Sequence, residues 1–132
     1  MPFEEIQHTA DWSLRVWAAT LPELFAEAAR GMTALAGARL AAAPRTSRTI
    51  EISSLDIEGL LVSFLSEILY LGEEEKLAFD EFKIQIVENR VSAEITGAAI
   101  RSIDKTIKAV TYHNLLIRQA SRGYEVEIVF DV

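Results

Sequence analysis

Hydrophobic positions along the chain recur with two different spacings. In two segments, apolar residues lie three and four positions apart, which predicts two amphipathic helices. Elsewhere apolar and polar residues alternate, which predicts strands with one buried face. Because strands follow one another without an intervening helix in the second half of the chain, the sheet is predicted to be antiparallel or mixed.

The first predicted helix begins after Thr20 and ends near Gly37. Thr20 can cap its first turn, with Glu23, three residues further on, as the partner in a capping box. Pro22 is tolerated in the first turn. A glycine at the end is typical of a helix C-cap. The second helix follows the sequence SSLDIEG and is predicted to end near Gly72. Little of its surface is polar, so we expect most of the helix to be buried. Its apolar residues form one continuous stripe: Ile57, Leu60, Leu61, Phe64, Leu65, Ile68 and Leu69.

Four stretches predict strands. WSLRVWA alternates from Trp12, FKIQIVENRVSAEIT gives two strands joined at Glu88-Asn89, and a further strand is expected at about residues 49–53. YEVEIVFDV should point Tyr124, Val126, Ile128 and Phe130 inward. The predicted class is α+β: a two-layer protein, with a mixed or mostly antiparallel sheet and two helices packed on one face, in a single domain of residues 1–132.

The composition of the chain excludes several classes of site and partner. With 132 residues, half of them hydrophobic, the chain can bury one core without cross-links, and the absence of cysteine excludes disulfides and thiolate metal sites. A net charge of -7 disfavours direct binding to nucleic acid. The longest apolar stretch, residues 57–71, is too short and too polar to cross a membrane. No secretory signal is visible, so we expect a cytoplasmic protein that does not associate with a membrane.

The candidate chemistry lies at the end of the chain, where Asp131 precedes Val132. A side-chain carboxylate next to an α-carboxylate offers oxygen ligands for Ca²⁺, Mg²⁺ or Mn²⁺. Two ligands are too few, and the best candidate for a third is Asp11 in HTAD, with His8 three residues before it. The alternatives are an ordinary solvated acid at Asp131, a turn-forming Asp11 and a surface His8. No arrangement for nucleophilic catalysis is present.

Five segments in order resemble the archease family: HTADWSL, TLPELFAEAARGM, DIEGLLVSFLSEILYL, IKAVTYHNL and the terminal VFDV. The resemblance implies a small cytosolic protein that is not an enzyme. It would activate an RtcB-type RNA ligase of tRNA splicing, by promoting guanylylation of the ligase from GTP and multiple turnover. It also implies a divalent metal ion held by Asp11, Asp131 and the α-carboxylate of Val132, with His8 beside them, and a functional lysine at Lys108.

One segment, GAAIRSIDKTIKAVTYH, departs from the family pattern. Ala98 stands where the family has a glutamate, and the polar loop that follows is shorter, which leaves open any metal or partner contact that relatives make there. Two other functions remain as alternatives. One is a metal-dependent phosphoester hydrolase with His8 or His113 as the base. The other is a general chaperone-like interaction module, which would need a broad exposed apolar patch.

Overall fold

The structure, a computed structural model, describes residues 2–7, 12–121 and 123–132. This part of the chain contains two helices and nine strands. The helices are α1, Leu21–Ala36, and α2, Ile57–Glu75. The strands are β1 Phe3–Gln7, β2 Trp12–Ala18, β3 Arg39–Leu40, β4 Thr46–Ser53, β5 Leu77–Val87, β6 Arg90–Ser102, β7 Ala109–Val110, β8 Arg118–Ala120 and β9 Gly123–Asp131.

Helix α1 begins and ends at the residues that the sequence predicts. The Thr20 hydroxyl accepts a hydrogen bond from the backbone N–H of Glu23 at 3.3 Å, so it satisfies one of the free donors of the first turn. Gly37 follows the last helical residue in the left-handed conformation, with φ of 65°. A glycine adopts this conformation without a steric penalty, which explains why the helix stops there.

Helix α2 is one turn longer than predicted. The Asp56 carboxylate caps its first turn by accepting from the N–H of Gly59 at 2.7 Å. The helix does not end at Gly72 but continues through Glu75, and Lys76 ends it with a left-handed φ of 58°. The prediction at Gly72 was wrong because a glycine inside a helix costs only about 1 kcal/mol, which the good helix formers that follow and the packing of the helix offset.

The strands form two antiparallel sheets, not the one sheet that we predicted. In the first sheet the order is β1-β2-β9-β7, and β8 also pairs with β9. In the second sheet β6 pairs with β4, β5 and β3. Each helix contacts strands of both sheets. The α+β class, the two helices and the antiparallel strands are therefore confirmed, while the division into two sheets is a difference.

One hydrophobic cluster joins the helices to the two sheets. Phe25 of α1 and Phe64 of α2 are fully buried, and their ring centroids lie 5.7 Å apart in a tilted arrangement typical of aromatic pairs. From β9, the predicted inward residues Val126, Ile128 and Phe130 are buried in the same cluster. Within the described ranges, neither helix is both long and apolar enough to cross a membrane.

Candidate metal centre at the strand ends

Asp131 lies at the end of β9, between two other parts of the chain. On one side the first residue of β2, Trp12, is the partner of Phe130. On the other side β7 pairs Val110 with Phe130 and Ala109 with Asp131. The first sheet therefore brings the beginning of β2 and the KAVTYH segment to the last residues of the chain.

The side chains at this end of β9 alternate between core and solvent. Phe130 is fully buried, Asp131 is exposed, and Val132 is partly buried and packs against the core. No residue in the described ranges forms a hydrogen bond or an ion pair with the Asp131 carboxylate. An exposed carboxylate beside an α-carboxylate supplies two of the hard oxygen ligands that Ca²⁺, Mg²⁺ and Mn²⁺ prefer, so the chemistry of these two groups fits a divalent ion that further ligands would have to complete.

Two of the predicted site residues, His8 and Asp11, lie outside the described residues, so their approach to Asp131 stays a prediction. Residues 2–7, 12–121 and 123–132 contain no group of three histidine, aspartate or glutamate side chains close enough to hold a metal ion. Trp12, which follows Asp11 directly in the sequence, is the nearest residue on that side whose position is known.

Lys108 lies beside Asp131, a proximity that the sequence analysis did not predict. Its backbone N–H donates to the Asp131 carbonyl oxygen at 2.8 Å, and its side chain is exposed. A second lysine, Lys105, is also close: its ammonium nitrogen lies 4.1 Å from the centroid of the Trp12 ring. Sequence analysis missed Lys105, because nothing in the local pattern indicates a contact with a tryptophan at the other end of the chain.

Hydrogen bonds hold the KAVTYH segment, residues 108–113, and the residues that follow it. The Thr111 hydroxyl and backbone N–H both donate to the carbonyl oxygen of Val129, each at 3.0 Å. Four residues after the segment, the N–H of Ile117 donates to the Glu58 carboxylate at 3.0 Å, which joins the residues after KAVTYH to the first turn of α2. Between these points His113 is exposed, and its ring nitrogen Nε2 lies 3.3 Å from the Asn114 amide nitrogen.

Ala98, in the segment that departs from the family pattern, has a buried position. It lies inside β6, pairs with Ala78 and is fully buried. A glutamate at this position would place a charge among apolar side chains, which is costly without a partner. β6 continues to Ser102, so residues 103–108 alone separate it from β7.

The protein's exposed apolar side chains are spread over several elements. A groove of about 590 Å³ lies between the C-terminal ends of α1 and α2 and residues 103–108, with Lys108 among its lining residues. The most exposed large apolar side chain, Leu55, precedes the other end of α2. A second, polar groove of about 650 Å³ includes Arg15 and Arg118.

Comparison with known proteins places this architecture in one structural class, that of archeases. The crystal structure of an archease described as a possible chaperone, from Thermotoga maritima, matches 98% of this chain and 96% of its own, with a TM-score of 0.71 and 22% identity. The solution structure of protein 1598 from Methanobacterium thermoautotrophicum matches 99% of each chain, with a TM-score of 0.69 and 24% identity. At these identities the likeness establishes the fold.

The sequence comparisons establish the family. The Archease protein family model matches residues 3–132. The chain is 32% identical to the protein archease of Methanosarcina barkeri, over 98% of this chain and 95% of that one. It is 31% identical to the protein archease of Methanopyrus kandleri over the full length of both. The chain belongs to the archease family.

Proposed function

We propose that this protein is a non-enzymatic activator of an RtcB-type RNA ligase, which promotes guanylylation of the ligase from GTP and multiple turnover in tRNA splicing. Family membership supports the general role. The single observation that carries the proposal here is the pairing of Lys108 with Asp131. Two residues from separate family motifs meet by a 2.8 Å hydrogen bond at one sheet end, and both side chains are exposed to a partner.

The proposed activity uses a divalent ion, Ca²⁺, Mg²⁺ or Mn²⁺, held by the carboxylates of Asp11 and Asp131 and the α-carboxylate of Val132, with His8 beside them. When bound, such an ion can neutralise charge on phosphate oxygens. The main chain of Asp131 pairs with Ala109 of β7, and the preceding residue, Phe130, pairs with Trp12 of β2, so the carboxylate is presented from the end of a paired strand. Lys108, whose main chain is hydrogen-bonded to Asp131, adds an exposed cationic side chain at this end of the sheet, and we expect it to contact an anionic group of the ligase complex.

Charge favours a protein partner over direct contact with RNA. The net charge of -7 repels a phosphate backbone but complements the basic surface that an RNA ligase needs for its substrate. Complementary potentials of this kind accelerate encounter. The proposed partner is therefore the ligase, in the cytoplasm, with the RNA bound by the ligase alone.

Guanylylation of the purified ligase by GTP, with and without this protein, tests the proposal. We expect the wild-type protein to accelerate guanylylation. Lys108→Ala should lose most of the activation and still bind the ion, because Lys108 is not a proposed ligand. Lys83→Ala is the matched control, since Lys83 is exposed on β5 of the other sheet and should activate normally. Equal activation by Lys108→Ala and wild type would contradict the role of Lys108.

A C-terminal extension tests the proposed ligand at Val132. Two or three residues added after Val132 convert its α-carboxylate into a peptide carbonyl, which removes one negative charge and one oxygen ligand. The Val132 side chain, which packs against the core, is unchanged by the addition, so we expect the fold to be retained. We expect ion binding and activation to fall together. Full activity of the extended protein would exclude the α-carboxylate as a ligand.

A further inference from the structure

The groove between the C-terminal ends of the two helices, here called the α1–α2 groove, is mostly apolar. Its volume of about 590 Å³ is large enough to hold one or more side chains of another molecule. Buried apolar residues form its floor, among them Met32, Ile68 and Leu77. Ile103 also lines the groove and is 46% exposed, so part of this apolar surface is in contact with water. An accessible apolar groove with a polar rim is typical of an interaction site.

Hydrogen bonds fix the walls of the α1–α2 groove. The backbone N–H groups of Asp104 and Lys105 donate to the Ala36 carbonyl oxygen at 2.9 and 3.0 Å, which anchors residues 103–108 on the end of α1. At the end of α2, the N–H of Ile100 donates to the Lys76 carbonyl oxygen at 2.8 Å. The groove is therefore formed before a partner arrives, which reduces the ordering cost of binding.

The rim of the groove is positively charged, in contrast to the protein as a whole. The chain has 20 acidic and 13 basic residues, but the charged residues that line the groove are Lys76, Lys108 and one acid, Glu73. Within the described ranges the Lys108 ammonium forms no ion pair, and the Lys76 ammonium donates to the Glu73 carbonyl oxygen at 2.9 Å rather than to a carboxylate. Both lysines are thus available to carboxylates of a partner.

We infer that the α1–α2 groove docks a segment of the RNA ligase in which an apolar side chain stands next to acidic residues. The inference rests on the proposed function, in which the ligase is the partner and Lys108 contacts an anionic group. The apolar side chain fills the groove, and the neighbouring carboxylates pair with Lys76 and Lys108 at the rim. The buried apolar contact supplies affinity, and the lysines select an acidic segment over a basic one.

Calorimetric titration of the purified ligase with variants at Ile103 tests both parts of this inference. Ile103→Asp removes the apolar side chain and repels an acidic segment, so its affinity should fall about 100-fold. Ile103→Lys removes the same side chain but attracts the acids, so its affinity should fall only about 10-fold. Val87→Asp is the matched control, because Val87 is an exposed β-branched residue at the end of β5 that does not line the groove, and it should bind like wild type.

Two outcomes of this titration would overturn the inference. If folded Ile103→Asp binds the ligase like Val87→Asp, the groove is not the docking site. If Ile103→Lys loses as much affinity as Ile103→Asp or more, the docked segment is not acidic. Thermal unfolding of each variant without ligase checks that the fold is retained.

Alkylation of an engineered thiol tests the contact without a charge change. The chain has no cysteine, so Ile103→Cys and Val87→Cys each give a protein with a single thiol. We expect saturating ligase to slow the reaction of the Ile103→Cys protein with N-ethylmaleimide about 10-fold or more, and to leave Val87→Cys unchanged. Protection of the Ile103→Cys thiol that needs no ligase and rises with the protein's own concentration would assign the groove to a second copy and overturn the inference.

Ligase guanylylation separates this inference from the proposal on which it rests. If the wild-type protein neither binds the ligase nor accelerates guanylylation, the proposed function is wrong and the docking site is wrong with it. If wild type accelerates guanylylation and Ile103→Asp does so equally well at the same subsaturating concentration, the proposed function stands and the groove does not dock the ligase.

Discussion

Glu58 offers the sharpest test of how the residues after the KAVTYH segment are held in place. Its carboxylate, in the first turn of α2, accepts a hydrogen bond from the N–H of Ile117 at 3.0 Å. Replacing Glu58 with alanine leaves this part-buried N–H without its acceptor, which costs about 1–3 kcal/mol. It also removes an acid from the helix N-terminus, worth about 0.3–1 kcal/mol. The expected loss of unfolding free energy is about 2 kcal/mol, or about 7 °C in Tm for a chain of this length.

Urea unfolding of Glu58→Ala, Glu58→Gln and Glu67→Ala measures this loss. Glutamine keeps an acceptor oxygen and loses only the charge, so we expect roughly half the effect. Glu67, in the middle of the same helix, has no hydrogen-bond partner among the residues described and should change stability by less than about 0.5 kcal/mol. Hydrogen exchange should accelerate at the Ile117 amide in Glu58→Ala. A Glu58→Ala protein as stable as Glu67→Ala would refute the reasoning.

Two further predictions concern stability alone. Gly97→Ala should cost about 3 kcal/mol or more of unfolding free energy, because the added Cβ would overlap the carbonyl oxygen of Ala78. Gly72→Ala, inside α2, should instead gain about 0.5–1 kcal/mol, because the atom nearest to its added Cβ, the carbonyl oxygen of Leu77, is 3.4 Å away. Denaturant unfolding of the two variants checks this, and similar effects in both would contradict it. Hydrogen bonds from Arg48 hold the pKa of Glu75 below its ordinary value of 4.5, so this pair stabilises the fold above that pH and stops doing so as the pH falls through the folded pKa. The difference in unfolding free energy between wild type and Glu75→Gln should therefore be constant well above pH 4.5 and disappear as the pH falls below 4.5 through the folded pKa, and a difference independent of pH would exclude the ion pair as its cause.

Local signals in the sequence predicted the elements that carry the site. Thr20 and Gly37 mark the ends of α1 because capping depends on neighbouring residues. The alternation of apolar and polar residues identifies the buried faces of β2 and β9, because successive side chains of a strand point to opposite faces of the sheet. Strand β1 was missed because its two consecutive glutamates, in FEEIQ, interrupt the alternation.

Contacts between distant parts of the chain could not be predicted in this way. The choice of β2 as a partner of β9, and the division into two sheets, depend on packing that no local period encodes. The same holds for Lys105 on Trp12 and for Glu58 on Ile117, since each pair joins different elements. Asp131 was selected because its carboxylate precedes the α-carboxylate of Val132, and Lys108 because a family motif contains it, but the hydrogen bond between their main chains became visible only in the fold.

Ligase guanylylation with Asp131→Asn and Glu127→Gln tests the central claim most directly, that an ion at the end of β9 serves activation. Glu127 is exposed on the same strand and the same face, four residues before Asp131, so each variant removes one carboxylate charge from β9. The account predicts that Glu127→Gln accelerates guanylylation like wild type and that Asp131→Asn, folded and at equal concentration, does not. Equal acceleration by both variants would contradict it.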